Sequence, residues 1–270
     1  MTRTRVVVIT GASDGIGAEL ARQWARRDRH GVSLVLAARR TDALEAVAEA
    51  CRISGAQALV QRCDVTSPAD CAALAAAAVA THGRIDVLVA NAGMSAHARF
   101  DDVGDLGWYE DLMRVNLWGA VWCARAALPH LVASRGQIVA VSSLAGLVGV
   151  PERTAYCSTN VAMTGFFEAL RTEVHASGVG VTIAYPGVVA TEIRRRGFGA
   201  DGRPAGRSGL DEARAMPVAT CARLILDGAT RRQRDIVMST QGKLGRWLKL
   251  LAPTLVDRLA RRALAHEVAR

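Results

Sequence analysis

Lysine is nearly missing from this 270-residue chain, occurring only at Lys243 and Lys249, so arginine carries almost all of the positive charge. Also missing is any uncharged apolar run of the roughly 18 residues a membrane-spanning helix needs. The first apolar run, Val6 to Ile9, is too short for a signal-peptide core and gives way to Gly11 and Asp14. It reads as a buried strand, and the mature protein is expected to begin near residue 1. The six cysteines (51, 63, 71, 123, 157 and 221) form no CxxC pair and no His/Cys cluster at metal-ligand spacing. Free thiols in a reducing cytosol, and no metal, are the expectation. No zinc-finger, helix-turn-helix or aromatic RNA-binding signature is present, so nucleic acid is not an expected partner.

What is present suits a packed core: half of the residues are hydrophobic and 22% are charged. The net charge of +9 is unevenly placed, because 17 Lys+Arg stand against 7 Asp+Glu from Arg194 to Arg270, leaving −1 on the rest. Strand-like apolar runs at 5–10, 32–38, 57–62, 85–90, 136–142, 179–185 and 234–238 alternate with helical patterns. The helical stretches fall near 16–29, 41–53, 67–82, 103–133, 152–177 and 217–229. Strands apolar on both faces suit a parallel sheet covered by helices, and repeated β-α units imply right-handed crossovers and a doubly wound sheet. Ligands of such sheets bind beyond the carboxyl ends of the strands, where the winding reverses.

After the first strand comes Thr10-Gly11-Ala12-Ser13-Asp14-Gly15-Ile16-Gly17, and then a helix. Glycines let the backbone turn tightly and approach a diphosphate, and the helix start aims unpaired N–H groups and a positive dipole end at it. The second strand ends in Ala38-Arg39-Arg40, without the acid that usually accepts hydrogen bonds from an adenosine 2′-hydroxyl. A guanidinium binds a 2′-phosphate through paired charged hydrogen bonds, so Arg39, helped by Arg40, points to NADP(H) as cofactor. Asp14 sits where a further basic residue would strengthen that preference.

With these residues placed, the chain resembles the short-chain dehydrogenase/reductase family over roughly residues 5 to 190. The matching motifs are Thr10-Gly11…Gly15-Ile16-Gly17, Asp64-Val65, Asn91-Ala92-Gly93, Asn116, Val141-Ser142-Ser143, Tyr156 and Pro186-Gly187…Thr191. The resemblance implies an α/β fold: a Rossmann-type, three-layer, doubly wound parallel sheet of about seven strands. It also implies that Ser13, Asp14 and the turn glycines hold the diphosphate and that Asp64 and Val65 hold the adenine. Asn91, Ala92 and Gly93 would shape the wall beside the cofactor, and Pro186, Gly187, Val189 and Thr191 would cover the nicotinamide. Ser143 would orient the substrate oxygen, Tyr156 transfer its proton, and Asn116 anchor a proton-relaying water. The 13-residue step to Tyr156 favours Ser143 over its neighbour Ser142.

The family pattern breaks at one position. Members carry a lysine four residues after the tyrosine, whereas this chain reads Tyr156-Cys157-Ser158-Thr159-Asn160. Positions 156 and 160 share a helical face, so Asn160 stands where the ammonium belongs; it can bond the nicotinamide ribose but carries no charge. A charge about 4 Å away at an effective dielectric near 20 is worth roughly 4 kcal/mol, and a free phenol ionises only near pH 10. Four readings stay open. The enzyme is slow or works at alkaline pH; an arginine, Arg153 or one of 194–196, supplies the charge; the protein is a non-catalytic NADP(H)-binding sensor or scaffold; or an active reductase has had its lysine exchanged by design.

A Ser/Tyr/nicotinamide arrangement processes ketones, aldehydes or secondary alcohols. Met94, Phe100, Leu144, Leu147, Val148, Val150 and Val188 flank the expected pocket and suggest a bulky hydrophobic compound. One domain is expected over 1–240, with a lid-like insertion at 192–215, followed by a basic amphipathic extension over 241–270 that Pro253 divides into two helices. That extension suits a peripheral contact with an anionic membrane, a partner subunit or its own domain. The small and apolar faces of 103–133 and 152–177 suggest a homodimer or homotetramer.

Overall fold

Residues 4–206, 208 and 215–268 are described in a computed structural model of the chain. Seven parallel strands form one sheet in the order β3-β2-β1-β4-β5-β6-β7. They are β1 Arg5–Thr10, β2 Val32–Ala38, β3 Gln57–Arg62, β4 Val87–Ala90, β5 Gln137–Val141, β6 Gly180–Tyr185 and β7 Asp235–Val237. All seven expected strands form, within two residues of the expected ends. The main helices are α1 Gly15–Asp28, α2 Thr41–Ile53, α3 Pro68–His82, α4 Gly107–Met113, α5 Gly119–Ser134 and α6 Thr154–Glu173. A short α7 Ile193–Arg196 precedes α8 Val218–Thr230, α9 Thr240–Leu251 and α10 Pro253–Val268.

Two-residue periodicity explains the three layers. Val7 and Ile9 of β1 face α1, α2 and α8, packing with Leu20, Trp24, Leu44 and Ile225. Val6 and Val8 face the other way, toward α3, α5 and α6, with Leu74, Leu131 and Phe167. The winding reverses between β1 and β4: β1 pairs with β2 on one side and with β4 on the other. There the carboxyl ends diverge and open a crevice.

Two helical expectations need correction. The stretch near 103–133 is not one helix but α4, a π-helical turn at Arg114–Trp118, and α5. The wider turn is compatible with the sequence because Gly119 lets Val65 approach to 2.8 Å of where a Cβ would stand. The stretch near 152–177 ends earlier, with α6 giving way to a 3₁₀ turn closed by Gly178 at φ 73°. The insertion at 192–215 is more ordered than a free loop: α7 is followed by bridges Ala96–Phe198 and Phe198–Pro204, and Val189 bridges Met216. Residues 207 and 209–214 of that insertion lie outside the described residues. Pro253 does start a second helix, as α10, directly after α9.

Candidate active site

At the winding reversal, Thr10 and Asn91 lock the ends of β1 and β4 together. Thr10 Oγ1 accepts from the Asn91 and Ala92 N–H groups at 3.0 and 3.1 Å, and Asn91 Nδ2 donates to the Thr10 carbonyl at 2.9 Å. This fixes the glycine turn. Gly11 (φ 66°) and Gly15 (φ 55°) take backbone conformations that side chains rarely adopt, and a Cβ on Gly11 would stand 2.8 Å from Ala92 Cα. No side chain caps the start of α1. Its first N–H groups therefore keep their donor capacity toward the crevice, as an anion site requires.

The turn opens on a cleft of about 700 Å³. Every catalytic or cofactor-binding candidate from the sequence lines it except Gly17: Gly11, Ser13, Asp14, Gly15, Ile16, Arg39, Arg40, Asp64, Val65, Asn91, Ala92, Gly93, Asn116, Ser143, Tyr156, Asn160, Pro186, Gly187, Val189 and Thr191. Gly17 lies one layer behind, where a Cβ would stand 2.4 Å from the Gly11 carbonyl oxygen and 2.5 Å from Asn91 Nδ2, so its smallness serves helix-to-strand packing. At the other end of the cleft, Asp64 is held by Thr66, whose N–H and Oγ1 donate to its Oδ1 at 3.0 and 2.8 Å. Asp14 is engaged by two arginines: Arg40 at 3.2 Å and Arg196, which reaches over from α7.

Four of the lining side chains carry the expected chemistry. Asn116, on the π-helical turn, accepts from the Met94 N–H at 2.7 Å and donates to the Met94 carbonyl and Thr159 Oγ1 at 2.9 and 3.1 Å. Ser143 follows β5 and accepts from the Ala145 N–H at 3.2 Å. Tyr156 lies in the first turn of α6, packed against the buried cluster of Ala96, Trp108, Leu112 and Ala155. Asn160 is buried; its Nδ2 donates to the Tyr156 carbonyl at 2.9 Å and its Oδ1 accepts from Ser142 Oγ at 3.1 Å. The carboxamide thus hydrogen-bonds within the protein through both its oxygen and its nitrogen.

A family model described as short chain dehydrogenase matches residues 5–199. The chain belongs to that family. It is 36% identical over 260 residues to 11-beta-hydroxysteroid dehydrogenase 1A of Arabidopsis thaliana, covering 94% of this chain and 73% of the relative. It is 32% identical over 272 residues to a Dictyostelium discoideum dehydrogenase/reductase SDR family protein 7-like, covering 98% and 84%. Among solved structures, a Burkholderia phymatum short chain dehydrogenase/reductase in complex with NAD superposes with a TM-score of 0.80 at 25% identity, covering 94% and 95%. An alcohol dehydrogenase from the archaeon Thermococcus sibiricus, complexed with 5-hydroxy-NADP, superposes with a TM-score of 0.71 at 27% identity, covering 82% and 88%. Oxidoreductase chemistry with a nicotinamide cofactor on a small molecule is the activity of this family.

In this short chain dehydrogenase three arginines also line the cleft: Arg153, Arg194 and Arg196. Arg153 and Arg194 are buried. Arg153 donates to Ser95 Oγ at 3.2 Å and the Ala96 carbonyl at 3.3 Å, and Arg194 to the Val189 carbonyl at 2.9 Å. Arg195 points away, half-exposed near Glu192. Of the expected apolar wall, Met94, Leu144, Val148, Val150 and Val188 line the cleft. Phe100 and Leu147 do not: Phe100 sits exposed against Tyr109, and Leu147 packs on the core. Sequence reading missed Ser142 as the partner of Asn160. Only its place beside Ser143 could have signalled it. The described cysteines are all free thiols, five of them buried, and no metal-holding group of His, Cys, Asp or Glu forms among the described residues.

Proposed function

We propose that this chain is an NADP(H)-dependent oxidoreductase that interconverts a carbonyl and a secondary alcohol on a bulky hydrophobic substrate, at a rate lowered by Asn160. The observation that carries the reading is one cleft with the glycine turn in its middle, Arg39 and Arg40 at one end, and Ser143 with Tyr156 at the other. The residues fit a dinucleotide: a Cβ-free cradle, an uncapped helix start and two guanidiniums where an acid would select a 2′-hydroxyl. When bound, the nicotinamide supplies or accepts the hydride. Arg39, with Arg40, holds the 2′-phosphate. Ser143 Oγ donates a hydrogen bond to the substrate oxygen, and the Tyr156 hydroxyl gives it a proton in reduction and takes one in oxidation. Both Nδ2 protons of Asn116 are taken by Met94 and Thr159, so Asn116 holds a relay water as an acceptor. Met94, Val148 and Val188 supply an apolar wall. The relatives named as hydroxysteroid dehydrogenases support a rigid, steroid-like ketone as the substrate class.

The enzyme works in the cytoplasm as a homodimer or homotetramer, with α5 and α6 as the pairing face. Trp118, stacked on Trp122, and Val161 are exposed there. A second reading, an NADP(H)-binding sensor or scaffold, is favoured by the self-satisfied Asn160 carboxamide. Titration with NADPH and NADH, followed by turnover of hydrophobic ketones, separates the two. Tight NADPH binding with no hydride exchange selects the sensor, and turnover with NADH alone overturns the role of Arg39.

A further inference from the structure

The apolar side of α9 faces the wrong way for a helix that only covers its own domain. At 100° per residue, Leu244, Trp247, Leu250 and Leu251 share one side, and they are 63%, 63%, 70% and 83% exposed. The opposite side is the one that packs. Gly242 approaches Leu144 and Val237, and Gly245 approaches Val148. Arg246 pairs with Asp235 at 2.9 Å, and Lys249 Nζ donates to the Leu147 carbonyl at 3.0 Å. Small and charged residues therefore dock inward while the leucines and tryptophan point out, the inverse of an ordinary surface helix. α10 continues the surface with exposed Leu255 and Leu259.

We propose that this outward face of α9 and α10 seats the protein on an anionic lipid bilayer. Charge selects that occupant over a second copy of the chain. Beyond the inward-docked Arg246 and Lys249, the segment from Thr240 to Arg261 carries Lys243, Arg258 and Arg261 against one acid, Asp257. A self-complementary contact would bring these like charges together, whereas anionic headgroups neutralise them. Exposed leucines and a tryptophan flanked by cations are the composition of a helix lying in the headgroup plane. No described helix is long and apolar enough to cross a membrane, so the contact is peripheral. The helix that carries this face also borders the cleft, because the inward side of α9 packs on the 144–148 loop, whose Leu144 and Val148 line it. Resting on the oxidoreductase reading, this places the mouth of the substrate pocket at the lipid surface, where a hydrophobic ketone is concentrated.

The test is cosedimentation of the full chain with vesicles of phosphatidylcholine alone and with about a third phosphatidylserine, without cofactor, so that its failure leaves the catalytic reading untouched. The wild type should pellet with the anionic vesicles, less with neutral ones, and release at high salt. The triple variant L244E/W247E/L251E should lose binding roughly tenfold or more, with an unchanged thermal melt and an unchanged mass by sedimentation. If the triple variant does not fold, Trp247→Ser alone should weaken binding about threefold, and its melt is the control. A wild type that stays in the supernatant overturns the proposal, as does a variant that binds equally well. A variant whose oligomeric mass falls while vesicles are ignored assigns the face to a second copy of the chain.

Discussion

Restoring the cation at position 160 is the sharpest perturbation. Asn160→Lys removes three hydrogen bonds, from Nδ2 to the Tyr156 carbonyl at 2.9 Å and, at the limit of length, to Thr159 Oγ1 at 3.5 Å, and from Ser142 Oγ to Oδ1 at 3.1 Å. Ser142 keeps the Asn160 carbonyl oxygen as a partner at 3.4 Å, so the loss should be about 1 kcal/mol of stability, a melting shift of roughly 2–4 °C. The longer side chain must extend toward the cleft that the buried position 160 lines. An ammonium about 4 Å from a developing phenolate is worth roughly 4 kcal/mol at an effective dielectric of 20. The cleft is open to water, so we halve that to about 2 kcal/mol, or roughly thirtyfold in rate. The assay is steady-state ketone reduction by NADPH, and the reverse oxidation, over pH 6 to 10. Turnover should rise about ten- to a hundredfold near pH 7, and the alkaline optimum of the alcohol oxidation should move down by about 1.5 pH units. A folded variant that binds NADPH as before and shows neither change refutes the electrostatic account of this position.

Arg39→Ala should raise the Kd for NADPH about ten- to a hundredfold by removing a charged hydrogen bond, and leave that for NADH unchanged in a fluorescence titration. Gly17→Ala forces a Cβ to 2.4 Å from the Gly11 carbonyl oxygen, so it should cost roughly 1–3 kcal/mol in a denaturant melt and weaken cofactor binding as the turn shifts. Burial pushes the Cys51 thiol from 9.0 up to about 11 and the Cys221 thiol to about 12. Because the folded values lie above the unfolded ones, their contribution to stability is complete below pH 9 and is lost as pH rises through about 11 and 12, which an alkaline melt series reads. At pH 8 these thiols should react with iodoacetamide only at the rate of unfolding, measured by mass spectrometry.

The deep end of the cleft shows why sequence reading stopped where it did. Tyr156 and Asn160 are one helical turn apart, so their shared face followed from period alone. That Asn160 bonds Ser142 did not follow, since a β5 end and an α6 turn meet only through a crossover. The helix break at Asn116 was equally hidden. The stretch 103–133 keeps helical period across the π turn, and the close approach of Gly119 to Val65 beside it is a long-range contact. The Asp14–Arg196 contact spans most of the chain and depends on how α7 is laid across the glycine turn.

The sequence by itself determined the strand and helix alternation, the glycine turn, the arginines after β2 and the missing lysine, because each is written in local period or in neighbouring residues. Only the tertiary structure decided how Asn116 and Asn160 use their carboxamides, that Gly17 sits tight against Gly11 and Asn91, and that α9 turns its leucines outward. Those outcomes depend on which distant surfaces the crossovers bring together, and hydrophobic period fixes that a helix has two faces without fixing which one finds a partner.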